Sequence, residues 1–232
     1  MKSKHKAWFL PMCAVLLAAV SIFGTLAYLT DKDTATNTFT VGSVGLKLDE
    51  AKVNTDGSLS IHDVRVKENE YHLIPGHTYY KDPTVTVDAG SEDAYVRMIV
   101  TVGNIDELKR ALPNSDTTAK YYDTDGTFLL QMLCVDKSGE CTWKGNVWKM
   151  QGYTESADGK NGVYEFRYKE IVNKSEEATV LPELFTHITV PGEIDNTHLA
   201  YLRNVKIVVN AHAIQADGFE NDEAGAWTAF GT

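Results

Sequence analysis

The sequence predicts an all-β fold, a jelly-roll-like β-sandwich with a few short helices, on three observations. Apolar and polar residues alternate in short runs rich in β-branched and aromatic side chains, the period-2 pattern of a strand. Asp-Gly pairs recur between the runs, where glycine supplies the positive φ of a tight turn. Beyond the N-terminus, helical periodicity is nowhere sustained for more than about two turns.

Lys2, Lys4 and Lys6 precede an uncharged stretch from Ala7 to Thr30 that contains the small-residue run Gly24-Thr25-Leu26-Ala27. This is the plan of a helical signal peptide over residues 1–27, with cleavage expected between Ala27 and Tyr28. A retained membrane anchor is the competing reading, because about 20 apolar residues span a bilayer. Pro11, Ser21, Gly24 and Thr25 interrupt the run, however, and Ala27 offers the small side chain a peptidase pocket requires. Cys13 stands near the start of the apolar run behind Met12, whereas a lipoprotein cysteine follows that run and a small residue, so no lipid anchor is expected.

The 232 residues include 22 basic and 32 acidic side chains, and removing the three signal lysines leaves 19 against 32, a net charge of −13 before histidine is counted. A surface that acidic argues against nucleic acid and against anionic lipid, both of which select basic faces. The membrane is expected to be met only through the uncleaved signal.

After the signal, Tyr28–Asn37 is polar and Thr/Asp-rich with no periodic apolar face, an extended arm or mobile tail by itself. Phe39, Val41, Val44, Leu46 and Leu48 then alternate, with Gly42 and Gly45 allowing a bulge. The expected organisation is an arm and first strand over residues 28–48 and a single domain over 39–232. Further strands are expected at Ile61–Val66, Thr84–Val87, Ala94–Val102, Thr127–Val135, Val147–Gln151, Gly162–Tyr168, Thr186–Val190 and Asn204–Ile214. In the Ala94 and Asn204 runs both faces carry apolar residues, which marks central strands covered on both sides. Asp56-Gly57, Asp125-Gly126, Asp158-Gly159 and Asp217-Gly218 are read as hairpin turns. Asn104 with Glu107 offers a capped start for a short helix that Pro113 ends, and short turns are expected at Leu181–Phe185 and Asp222–Ala229.

Cys134 and Cys141 are the cysteines left after cleavage, and an even pair in an exported chain reads first as a disulfide closing the Asp136–Glu140 hairpin loop, with two free thiols as the rival. No catalytic motif is found. The contexts of Ser43 and Ser91 do not fit G-x-S-x-G, and no H-E-x-x-H occurs. His212 lies inside a strand, where a hydrogen-bonded structural role is expected over metal ligation. Asp123-Thr124-Asp125-Gly126 resembles part of a calcium loop, but Tyr121 and Met132 stand where its end carboxylates belong. The acidic pairs Glu92-Asp93, Glu176-Glu177 and Asp222-Glu223 read as solvated loops. No metal, cofactor or enzymatic activity is expected. Trp143, Trp148, Trp227 and the Tyr164, Phe166, Tyr168 row read as core first and as a sugar-stacking platform second.

The run from Phe23 to Asp31, continuing through Ala35-Thr36-Asn37-Thr38-Phe39-Thr40-Val41-Gly42-Ser43-Val44, resembles the N-termini of the TasA/camelysin family of exported Gram-positive proteins. Leu73-Ile74-Pro75-Gly76, Ala94-Tyr95-Val96-Arg97 and Ala213-Ile214-Gln215-Ala216-Asp217-Gly218-Phe219 extend the resemblance, whereas residues 103–200 share only its general character. The resemblance implies processing by a dedicated endoplasmic-reticulum-type signal peptidase and a secreted jelly-roll subunit of a biofilm-matrix fibre or cell-surface layer. It also implies self-association, the freed N-terminal segment of one subunit completing the sheet of the next. Phe39 and Val41 have the alternate spacing such a donor strand needs. Two alternatives stay open: a cell-surface carbohydrate- or host-binding module, and a camelysin-like metalloprotease, for which the zinc-helix motif is absent from the sequence.

Overall fold

The computed structural model describes residues 30–33 (backbone only), 44–60, 64–111, 142–192, 194–195, 197–203 and 205–231. Most regular structure among them is antiparallel strand, gathered into sheets of five, four and two strands. The five-stranded sheet has the spatial order β1 (Thr30–Asp33), β11 (Lys206–Gln215), β6 (Ala94–Gly103), β8 (Asn161–Tyr168), β7 (Trp148–Glu155). The four-stranded sheet runs β3 (Arg65–Val66), β2 (Leu46–Ala51), β5 (Thr84–Val87), β9 (Thr179–Val180). β4 (Thr78–Tyr80) and β10 (His187–Thr189) form the third.

One core joins the sheets. Val44, Leu46, Val85 and Val87 from the four-stranded side are buried in the same cluster as Val96, Met98, Val100, Val102, Tyr164, Phe166, Ala211 and Ala213 from the five-stranded side. Alternation dictates this: in β8 the even positions Gly162, Tyr164 and Phe166 are buried while Val163 and Glu165 are half-buried. Trp148, Tyr79 and Tyr164 are completely buried, each contributing about 2–3 kcal/mol of apolar transfer. The Trp148 indole Nε1–H donates to Pro182 O at 3.0 Å, so this burial leaves no orphaned donor.

β5 matches its expected bounds, and β6, β7, β8, β10 and β11 lie within a few residues of theirs. Of the Ile61–Val66 run, residues 61–63 lie outside the described residues, and Arg65–Val66 forms a strand that pairs with Glu50 and Ala51 at a sheet edge. Thr127–Val135 lies outside the described residues. β4 and β9 were not expected, being too short for periodicity to register. The expected turn at Leu181–Phe185 is irregular chain, pinned by buried Leu181, Leu184 and Phe185.

Asp158-Gly159 closes the β7–β8 hairpin with Gly159 at φ +68°, as expected. Asp217-Gly218 is a different kind of turn: Gly218 has φ +86°, but the chain leads from β11 into a helix, not back into a neighbouring strand. That helix, α2 (Glu223–Phe230), begins where the Asp222 side chain accepts from Gly225 N–H at 2.8 Å. The earlier helix α1 (Ile105–Ala111) follows Asn104, whose φ of +55° is left-handed, not the extended geometry of the expected asparagine cap. The Asn104 carbonyl still accepts the Leu108 N–H at 3.0 Å.

Candidate functional site

β11 is ten residues long, and β6 pairs with all ten on one side. On the other side β1 pairs with four, Thr30 opposite Ile214 through Asp33 opposite Ala211. The stretch Lys206–Asn210 thus runs on beyond the β1 ladder. A cleft of about 550 Å³ lies against this stretch, walled by Ile207 and Val209 of β11, Leu48 of β2, Tyr71, Leu73 and Ile188. Val208 is 47% exposed, unusual for an apolar side chain in the middle of a long strand. The opposite edge of the sheet is β7, where Gln151 forms a bulge because Met150 opposes Phe166 and Gly152 opposes Glu165. Bulges disrupt edge-on pairing.

The far wall of the cleft is held by buried charges. Asp49, Glu50, Lys81 and Asp82 are all under 9% exposed. Arg65 bridges two of them, Nε to Asp49 Oδ1 at 2.7 Å and Nη1 to Asp82 Oδ2 at 2.5 Å, and its Nη2 donates to the Asp49 and Asp82 carbonyls. Lys81 Nζ donates to Glu50 Oε2 at 2.5 Å, and Asn69 Nδ2 donates to Glu50 Oε1 at 3.0 Å. Burial, then the Glu50 and Asp82 carboxylates, push the Tyr71 phenol far above its ordinary range, so it stays neutral and donates to Tyr80 O at 3.2 Å. Each charge has a partner of opposite sign, the condition for burying ions at all. The network ties the loop before β4 to the junction of β2 and β5.

A second cluster covers the outer face of the β11–β6 pair. Arg97 is 6% exposed, and its guanidinium carbon lies 4.5 Å from the Trp227 ring centroid and 5.1 Å from that of Phe230, both on α2. Arg97 Nε–H donates to His212 Nδ1 at 3.1 Å, and the His212 ring stacks on Phe230 at 5.1 Å. Burial draws the Arg97 guanidinium below its ordinary value, with Glu165 opposing and Arg167 adding to the shift. Tyr95 Oη–H donates to Phe219 O at 2.8 Å, closing the end of the cluster. Alternation places Arg97 on the partly polar face of β6, and this is its cover.

The expected functional residues fall as follows. Ala27, Tyr28, Phe39, Val41, Cys134, Cys141 and the Asp123–Gly126 turn lie outside the described residues. His212 is hydrogen-bonded within the cluster just described. Ser91 Oγ accepts from Gly45 N–H at 3.1 Å, a contact that tethers the start of β2. Glu92 pairs with Lys174 at 2.6 Å, Asp222 caps α2, and Glu223 Oε1 accepts from Trp227 Nε1–H at 3.2 Å. Trp148 and Trp227 are buried, as are Tyr164 and Phe166. Among the described residues, no group of three or more His, Cys, Asp and Glu is arranged to hold a metal ion. Sequence reasoning did not single out the Arg65 and Lys81 network. Its trace in the sequence is the pair Asp49-Glu50, which breaks the alternation of β2, and Lys81-Asp82, which does the same between β4 and β5. No protein-family model, curated protein or solved structure matches the chain.

Proposed function

We propose that the chain is a secreted structural subunit, released by cleavage after Ala27, that assembles on or outside the cell by exchanging its N-terminal arm between copies of a jelly-roll-like body. The observation that carries this reading is the β1–β11 ladder: a four-residue arm strand occupies the edge of a ten-residue strand that extends well past it. Four residue pairs contribute a few hydrogen bonds of about 1 kcal/mol each, comparable to the cost of ordering four residues at about 1–2 kcal/mol each. An arm so weakly held exchanges readily, and the same backbone pairing serves within one subunit or between two. The bulge in β7 supports assembly through β11, because it blunts the other edge of the sheet. The strand order β1–β11–β6–β8, first strand beside last, supports the jelly-roll-like reading. The resemblance of residues 23–44 to exported matrix proteins supports the same role. While the signal is attached the arm stays tethered at the membrane, so processing delays assembly until export.

The test is electron microscopy and sedimentation of the mature chain beside a variant lacking residues 28–37. The parent is expected to form polymers, and the variant to remain folded and monomeric. A parent that stays monomeric at high concentration across pH and salt overturns the reading, as does a deletion variant that polymerises equally well.

A further inference from the structure

We propose that Lys81 and Asn69 join through an intramolecular isopeptide bond, with Glu50 moving the protons. Lys81 Nζ replaces Nδ2 on the side-chain carbonyl carbon of Asn69. The three side chains meet inside the wall of the cleft. Lys81 and Glu50 are 7% and 6% exposed, and Lys81 Nζ donates to Glu50 Oε2 at 2.5 Å. The other oxygen of the same carboxylate, Oε1, accepts from Asn69 Nδ2 at 3.0 Å. One buried carboxylate thus holds an amine beside a primary amide, the proximity that acyl transfer between them needs. Tyr71 is a second common neighbour: Lys81 Nζ lies 5.7 Å from its ring centroid, and the Asn69 side chain opposes the rise that burial, Glu50 and Asp82 impose on its phenol.

The partners of Asn69 fix which way its amide points. The Val53 N–H can only donate, and it reaches Asn69 Oδ1 at 3.0 Å; the Ala51 carbonyl can only accept, and it takes Asn69 Nδ2 at 2.9 Å. The carbonyl oxygen therefore faces a backbone donor able to stabilise the oxyanion of a tetrahedral intermediate. The nitrogen that has to leave faces Glu50. Arg65 engages the neighbouring carboxylates Asp49 and Asp82, while Lys81 pairs with Glu50.

The reaction balances without a co-reactant. Glu50 Oε2 takes a proton from the Lys81 ammonium along their hydrogen bond and leaves a neutral amine, a transfer that removal from water favours. The amine lone pair attacks Asn69 Cγ while the carbonyl π pair moves onto Oδ1. The flexible stem of Lys81 supplies the approach to a near-attack contact of about 3–3.5 Å. Collapse of the oxyanion breaks the Cγ–Nδ2 bond, and its electron pair leaves on nitrogen. That nitrogen takes the proton held by Glu50 and one from the attacking nitrogen and departs as ammonium, so Glu50 ends ionised as it began. Asn69 stands in the chain between β3 and β4 and Lys81 directly follows β4, so the bond closes residues 69–81 into a ring that contains β4. It fastens the loop that walls the cleft, and it forms within one body whether or not the arm exchanges.

Peptide mapping of the folded mature chain by mass spectrometry reads the bond directly. Trypsin cleaves after lysine with a free amine, so residues 68–97 are expected as one peptide, lighter by one ammonia than their sequence. Chymotryptic cutting of that peptide between Tyr71 and Tyr79 is expected to leave the fragments carrying Asn69 and Lys81 joined. Glu50→Gln, which cannot take the lysine proton, is expected to show the full mass and cleavage after Lys81. Lys81→Arg, whose guanidinium is not deprotonated, is expected to show the full mass. A parent of full mass that is cut after Lys81 overturns the proposal. Loss of ammonia with cleavage after Lys81 preserved, the mark of a succinimide at Asn69, overturns it too, and so does loss of water, the mark of an amide between Lys81 and Glu50. A bond that forms as completely in Glu50→Gln as in the parent overturns the assigned role of Glu50. Should the variants fail to fold, the map of the parent decides alone.

Discussion

Removing Arg65 tests whether the buried charges beside the cleft hold β3 to β2 and to the chain entering β5. Its guanidinium makes four hydrogen bonds, two to the carboxylates of Asp49 and Asp82 and two to their backbone carbonyls. Arg65→Ala leaves both carboxylates, each with a side chain 8% exposed, without that partner. Breaking a buried pair from one side costs about 3–5 kcal/mol, because the remaining charge stays desolvated. Arg65 is itself 31% exposed, and Asp82 Oδ1 keeps the Ala51 N–H at 2.7 Å, so the lower end, about 3 kcal/mol, is expected. For a domain of this size that lowers Tm by about 6–12 °C. Thermal unfolding followed by circular dichroism measures it. The triple variant Arg65→Met, Asp49→Asn, Asp82→Asn is expected to recover more than half the loss, since the stranded charges go with their partner. A loss under about 1 kcal/mol, the scale of exposed ion pairs, would refute the reasoning, and so would a triple variant less stable than the single one.

Lys109 of α1 chiefly, with the Tyr153 hydroxyl, holds the Glu155 carboxyl below its ordinary value against the opposing effect of burial. A depressed carboxylate stabilises above its unfolded pKa and loses that contribution as pH falls through the folded value. Glu155→Gln is therefore expected to flatten the stability profile between about pH 5 and pH 3, by less than about 1 kcal/mol because the side chain is 38% exposed. Gly57 has φ +82° and an added Cβ there would meet Tyr79, including its Cα at 2.8 Å, whereas Gly159 at φ +68° faces open space. Urea unfolding is expected to show Gly159→Ala costing about 1–2 kcal/mol from backbone strain alone, and Gly57→Ala costing clearly more. Cys134 and Cys141 are expected to be bridged, so the intact mass should rise on alkylation only after reduction.

Where strands are long and one face is covered, the sequence pattern was sufficient: β6, β8 and β11 alternate over eight to ten residues, and their bounds were readable to within a few positions. The two- and three-residue strands β3, β4, β9 and β10 have no period to read, and only β3 and β10 lay within expected runs. Arg97 shows a different limit. Its position on β6 follows from alternation, but its burial depends on Trp227 and Phe230, contributed by a helix at the far end of the chain. The apolar residues on both faces of the Ala94 run announce a cover, but nothing local says that a helix near the C-terminus supplies it. The arm presented the same difficulty in reverse: Thr30–Asp33 is polar and without an apolar face, so its strand exists through backbone pairing to β11, which composition does not encode. His212 was legible as a structural histidine, though not its part beside Arg97.

The central claim is exchange of the arm, and mixing two single-cysteine proteins tests it most directly. With Cys134 and Cys141 replaced by serine, one mature protein carries Thr30→Cys and the other Ile214→Cys, positions that are register partners in the β1–β11 ladder. Neither protein alone can form this disulfide. Co-assembly followed by mild oxidation is expected to give a disulfide-linked heterodimer, because the arm of one subunit lies on β11 of the other. Polymers that form without the heterodimer, while the double variant Thr30→Cys, Ile214→Cys bridges readily within single chains, would contradict the account.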